Sequence, residues 1–205
     1  WETILRSYPQ YDIVKNMNLT YILPKEHYES DNLQKSLSMN KVALVMHLYF
    51  PDLLEESYRY VSSMPEEADI YLTTDTAEKK AAIEQVFAEL TCHKLEVRLI
   101  QNRGRDVSSL LVGVRDVIMQ YDIVCFAHDK KTAQITPGTV GASFAYKCFE
   151  NTLAGKAFVA NVINTFVKNP QLGILSPPEP NHSVFFTTLG NEWGPNYDVT
   201  KALAD

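Results

Sequence analysis

Hydrophobic and polar positions fall into two regimes along this chain. Residues 1–40 hold no fixed period: Pro9, Pro24 and the polar stretch YESDNLQKSLSMN surround one short extended candidate, LTYIL. That pattern predicts an irregular lead-in segment, residues 1–40, packing against a main body, residues 41–205. From Lys41 the pattern turns regular. KVALVMHLY is a continuous apolar run of strand length, which predicts a strand buried on both faces. Pro51 and Asp52 follow, and Glu55, three residues after Asp52, gives a capping-box arrangement opening a helix to about Met64. ADIYLTT predicts a second strand. Asp75 and Glu78 repeat the capping arrangement, and the next helix sets Ile83, Val86, Phe87 and Leu90 on one face. KLEVRLI predicts a third strand. Val107, Leu110, Leu111, Val114 and Ile118 form another helical stripe, and YDIVCFA predicts a fourth strand. Helices are expected around 141–152 and 156–168, the second stopped by Asn169-Pro170. LGILS predicts a fifth strand before a Pro-rich turn.

Strands alternating with helices at these spacings imply a three-layer α/β/α fold with a mainly parallel sheet. In open sheets of this kind, ligands bind beyond the carboxyl ends of the strands, at a topological switch point. The residues just after the strands are therefore the ones to weigh. They are His47, Tyr49, Thr73, Thr74, Asp75, Asn102 to Asp106, and His128 to Lys131.

The turn QNRGRD carries most information. Asp106 suits a helix N-cap, and Gly104 permits a positive φ and close backbone approach. Arg103 and Arg105 beside a positive helix end could hold a diphosphate, because guanidinium pairs bidentately with phosphate oxygens. A capped turn with solvated arginines is the competing reading. AHDKKT places His128, Asp129, Lys130 and Lys131 at a strand end, as a metal-ligand pair, a cationic clamp for phosphates, or a solvated loop. Thr74 and Asp75 end the second strand, where Asp75 caps the next helix or meets a base or ribose hydroxyl. His47, His93 and His182 stand alone in sequence, and His47 has the best positional claim because it ends the first strand. The chain holds no GxSxG, HExxH, P-loop or GxGxxG.

Composition narrows the classes. With 205 residues, 45% of them apolar, the chain can bury a sizeable core as one domain. Net charge is −6 and the 19 Lys and Arg are spread out, which argues against nucleic acid as a partner. No apolar run reaches the roughly 18–20 residues of a membrane span. Three widely spaced cysteines show no zinc-ligand spacing and predict free thiols, with Cys125 buried, suited to a reducing cytosol. Opening on Trp1, the sequence reads as a piece of a longer protein.

Taken in order, KVALVMHLYFPDLLEESYRYVSSMP, DIYLTTDTAEKKAAI, VRLIQNRGRDVSSLLVGV, YDIVCFAHDKKT and FVKNPQLGILSPP resemble the rhamnan synthesis protein F family over roughly residues 40 to 180. The resemblance implies a glycosyltransferase of GT-A-like architecture. It would transfer a sugar, rhamnose favoured, from a nucleotide-diphosphate donor such as dTDP-rhamnose to a glycan or lipid-linked glycan in bacterial surface polysaccharide synthesis. It also implies a cytoplasmic site of action, at the inner face of the plasma membrane through parts outside this segment. On that comparison Asp75 sits near the base or ribose, and Asn102, Gly104, Arg105 and Asp106 form the turn beside the donor. His47 and Thr74 join the donor side. His128 and Lys130 take the two carboxylate positions of the metal-binding Asp-x-Asp. Lysine does not ligate a metal while protonated, so Lys130 and Lys131 with Arg105 would offset the leaving charge directly, leaving at most a weak Mg²⁺ or Mn²⁺ site at Asp129. Inverting transfer needs a carboxylate base, for which Glu192 and Asp198 are the candidates in the aromatic tail. The alternative function is a non-catalytic binding or scaffolding module of a larger assembly protein, and a third reading is an unrelated mononucleotide-binding domain.

Overall fold

The computed structural model describes residues 21–131, 138–177, 198 and 201–202. Four strands form the sheet: β1 (Val42–His47), β2 (Asp69–Thr74), β3 (Lys94–Leu99) and β4 (Ile123–His128). All neighbours pair in parallel, in the order β3-β2-β1-β4. β1 is central and every one of its residues is buried, as its unbroken apolar run requires. Side chains alternate between faces along a strand, so β1 feeds two cores. Val42, Leu44, Met46 and Leu48 join Ile70, Leu72 and Val97 on one face; Ala43 and Val45 join Tyr71 on the other.

The first face is covered by helices α1 (Ser30–Met39), α2 (Leu54–Val61), α3 (Ala77–Val86), α4 (Gly138–Glu150) and α5 (Lys156–Lys168), which supply Leu33, Leu54, Tyr60, Ile83, Phe149, Val159 and Ile163. Each large apolar side chain fully buried there contributes roughly 1.5–3 kcal/mol. The second face is covered by a π-helical turn (Ser109–Gly113) and a 3₁₀ turn (Ile118–Gln120), through Leu110, Val114, Val117 and Ile118. The result is a three-layer α/β/α arrangement around an all-parallel sheet.

Four expectations change. Residues 30–39 form α1 rather than irregular chain: Leu33 and Leu37 pack on the core, and buried Ser36 donates to Asn164 Oδ1 of α5 at 2.9 Å. LGILS is not a strand; Ile174 is 83% exposed and residues 171–177 pair with no strand of the sheet. The stripe from Val107 to Ile118 winds as a π turn and 3₁₀ turn instead of a regular α-helix. Its wider winding turns Leu110 and Val114 inward while Val107 and Leu111 stay exposed. Cys125 is a free thiol, partly buried against the core rather than sealed in it.

Gly113 closes that turn onto the sheet. A Cβ there would lie 3.0 Å from Ile100 Cγ2 and 3.5 Å from Thr73 Cγ2. Gly113→Ala is therefore expected to destabilise the fold by about 1–2 kcal/mol through overpacking, read as a lower urea midpoint with an unchanged m-value.

Candidate functional site at the carboxyl edge of the sheet

The connections run from β1 outward through β2 to β3, then return to β4 on the other side of β1. The switch point of the sheet is thus the crevice between the ends of β1 and β4. Registers at the edge align His47 with both Thr73 and His128, and alternation then puts Leu48, Thr74 and Asp129 on the opposite face. The strand ends present two rows of side chains.

The row of His47, Thr73 and His128 faces the second core. Buried His47 sets Nδ1 2.9 Å from Thr73 Oγ1, and Thr73 donates its hydroxyl proton to Ser109 Oγ at 2.7 Å. Thr73 Oγ1 then has lone pairs left to accept, so the His47 proton sits on Nδ1. Burial holds the imidazole below its ordinary pKa, against the pull of Asp106 and Asp75 and with the help of His128 and Lys79. His128 donates from Nδ1 to the Asp129 carbonyl at 2.8 Å and turns Nε2 toward Asp106 Oδ2 at 3.6 Å. That contact brings the arginine turn and the end of β4 together.

The opposite row closes the switch point itself. Asp129 Oδ2 accepts from the backbone N–H of Tyr49 at 2.8 Å and of Phe50 at 2.6 Å. Lys131 pairs with Asp52 and lies 5.2 Å from the centre of the Phe50 ring. Both interactions tie the loop after β4 to the loop after β1. Asp129 is 5% exposed, and its Oδ1 is buried without a hydrogen-bond partner, as is Thr74 Oγ1. Burial raises the Asp129 carboxyl to about 6, with the Phe50 and Tyr49 amides, His128 and Lys79 opposing it.

Between β3 and the π turn, Gly104 has φ 91° and Arg105 φ 53°. Glycine adopts this left-handed conformation freely; arginine does so at a cost of about 1–2 kcal/mol. The Arg105 carbonyl accepts from Ser108 Oγ at 2.7 Å, which holds the turn, and both Arg103 and Arg105 are exposed.

The expected residues fall along one edge of the sheet, divided between its two faces. His47, Thr74, Asp75, His128, Asp129, Lys130 and Lys131 lie at the carboxyl ends of β1, β2 and β4, and Asn102, Gly104, Arg105 and Asp106 in the turn after β3. The capping expectations are corrected. Asp106 has no capping bond and faces His128; Asp75 pairs with Lys79 Nζ at 2.7 Å while Thr76 caps α3; Asp52 binds Lys131, and no side chain caps α2. In each case a cation or imidazole outcompetes the local amides, one helical turn away for Lys79 and from distant parts of the chain for Lys131 and His128. Lys130 lies 4.1 Å from the centre of the Phe144 ring. Glu192 is outside the described residues, and Asp198 is an exposed helical residue in a different compact unit from the sheet. Sequence reasoning left Ser109, Lys79 and the Tyr49–Phe50 amides out of the site. A polar residue that alternation turns inward, as Ser109 is within an apolar stripe, was the available signal.

A carboxylate-held divalent ion does not fit this edge. The positions where the resemblance leads one to expect Asp-x-Asp carry His128 and Lys130, Asp129 Oδ2 is taken by two amides, and no group of three or more ligating side chains converges among the described residues.

Fold and edge together define the class: a parallel α/β domain whose histidines, carboxylates and cations gather at the strand ends where such sheets take ligands. Within it, the chain belongs to the rhamnan synthesis protein F family, whose sequence profile matches residues 5–205. Membership ties it to rhamnan synthesis, and so to polysaccharide assembly. No curated protein and no solved structure matched the chain. Among the described residues, no helix is long and apolar enough to cross a membrane.

Proposed function

We propose that this edge binds a nucleotide-diphosphate sugar, dTDP-rhamnose favoured, in a GT-A-like manner, and that the chain transfers the sugar to a glycan or lipid-linked glycan. The observation that carries this reading is the His128–Asp106 contact. It brings Asp106, next to the left-handed Gly104–Arg105 turn, to the end of β4, which supports an exposed Arg105 guanidinium meeting phosphates at the strand ends where parallel sheets take them. Arg105 then meets the diphosphate and offsets the charge that grows on it as the sugar leaves. Lys130 and Lys131 contribute a positive field from the β4 loop, with Lys131 partly spent on Asp52. Asp75 flanks the nucleoside side, with Thr74 buried behind it.

One observation favours the non-catalytic module instead: the edge carboxylates are engaged, Asp75 by Lys79, Asp106 by His128 and Asp129 by backbone amides. Calorimetric titration with dTDP-rhamnose, UDP-glucose and GDP-mannose, each with Mn²⁺ and with EDTA, separates these readings. One donor is expected to bind equally well in EDTA. Binding that needs Mn²⁺ would keep the donor and discard the cationic clamp, and no binding of any donor would move the assignment to the scaffolding module.

A further inference from the structure

The hydrogen-bond chain behind His47 has a consequence for the other ring nitrogen. Thr73 gives its proton to Ser109, so it accepts from Nδ1–H of His47, and Nε2 is left as a bare lone pair. Nε2 makes no hydrogen bond among the described residues, and the 6% exposed His47 is not among the side chains with a fully buried, unpartnered polar atom, which are Thr74 and Asp129. The imidazole ends the central strand on the same face as His128, beside the Asp106 turn. The neighbouring carboxylates are occupied as described above. An acceptor fixed in one tautomer, with its opposite nitrogen anchored through two hydroxyls to the π turn, is the arrangement general-base catalysis requires.

We infer that His47 is the proton acceptor of this site, its Nε2 taking the proton of the hydroxyl that attacks the donor sugar. This rests on the transfer reading above. In the step, the O–H bond breaks toward Nε2 as the oxygen bonds to the anomeric carbon. The bond from that carbon to the diphosphate oxygen breaks, its electron pair leaves with the nucleoside diphosphate, and the imidazolium later returns its proton to solvent. The groups facing the ring set its poise. Asp106 and Asp75 favour the imidazolium as it forms, while burial, His128 and Lys79 keep the resting ring neutral. Thr73 and Ser109 are positioning residues: they touch no reacting atom but fix which nitrogen is bare.

The first arm of the test reads the ring itself. In the ¹⁵N-histidine-labelled chain, two-bond ¹H–¹⁵N correlations from pH 4.5 to 8 are expected to show His47, assigned with His47→Gln, as the Nδ1–H tautomer titrating below 6.5. Thr73→Ser is expected to keep that tautomer and Thr73→Val to lose it. The second arm follows dTDP-rhamnose consumption with rhamnose and with water as acceptors. His47→Gln is expected to lower kcat ~10²–10⁴-fold, remove the acid limb of the pH profile and leave donor affinity within a few-fold. Thr73→Ser is expected to rescue rate and Thr73→Val is not. An Nε2–H tautomer, or a His47→Gln rate equal to the parent's, would overturn the base assignment alone. An Nδ1–H tautomer in a chain that consumes no donor would overturn the transfer reading, and the base with it.

Discussion

Arg105→Gly is expected to weaken binding of a nucleotide-diphosphate sugar by about 100-fold while changing unfolding free energy by no more than about 1 kcal/mol. The two effects separate because the residue's backbone and its side chain have different roles. At φ 53° the backbone suits glycine better than arginine, so the substitution relieves left-handed strain. Glycine also gains unfolded-state entropy, which offsets about 0.5–1 kcal/mol of that relief. The exposed guanidinium makes no ion pair among the described residues, so its removal orphans nothing in the fold. On the proposed function, what disappears is a bidentate, charge-assisted contact to the diphosphate, and a loss of ~3 kcal/mol corresponds to the 100-fold change. Arg105→Lys is expected to recover only part of it, since an ammonium cannot grip two oxygens in one plane. Calorimetry for the donor and thermal melts for the fold make the comparison. A glycine variant that binds like the parent would leave Arg105 as a solvated side chain on a strained turn.

How far the sequence led differs between fold and site for reasons visible in particular residues. β1 was legible because a central strand buried in a parallel sheet must be apolar, as VALVM is, and β4, a half-buried edge strand, was legible from its apolar run IVCFA. α1 was not, because SDNLQKSLSM fully buries only Ser36, half-buries Leu33 and Leu37, and bonds to Asn164 of α5, a partner 128 residues away. The capping aspartates were misread for one shared reason. Asp52, Asp75 and Asp106 each stand before a helical turn, yet Lys131, Lys79 and His128 claim their carboxylates. The edge of the sheet was found because its place follows from topology alone. The use of each side chain at that edge was not, because Asp129 reads as one charge in a polar run and only the β1/β4 register turns it inward. The Thr73–Ser109 link behind His47 spans 36 residues and leaves no local trace.

Asp129 carries the second large effect, visible as a pH dependence of stability that Asp129→Asn should erase. Its folded carboxyl titrates at about 6 against an ordinary 3.8, so the folded protein holds a proton there that the unfolded chain has released. Between about pH 4 and 6 the folded state binds more protons, and this group's contribution falls as pH rises, by roughly 3 kcal/mol in all. His47 acts with the opposite sign. Its pKa lies below 6.5, so its contribution is full above 6.5 and is lost as pH falls through that value. Subtracting the Asp129→Asn curve from the parent's removes the His47 part and leaves Asp129. The difference in unfolding free energy, parent minus variant, is expected to fall by roughly 3 kcal/mol from pH 4 to 6 and then level off. Above pH 7 the two proteins should be close. The asparagine oxygen keeps the Tyr49 and Phe50 amides paired, and an orphaned Nδ2, costing about 1–3 kcal/mol, offsets the relief of the buried charge. Asp129→Ala should fare worse, because both amides lose their acceptor and the β1 and β4 loops lose their tie. Urea unfolding at half-unit pH steps gives the curve. A difference that rose with pH would mean that the carboxylate is stabilised in its ionised form, with a cation at Oδ1, and Mn²⁺ added to the parent would then steepen that rise.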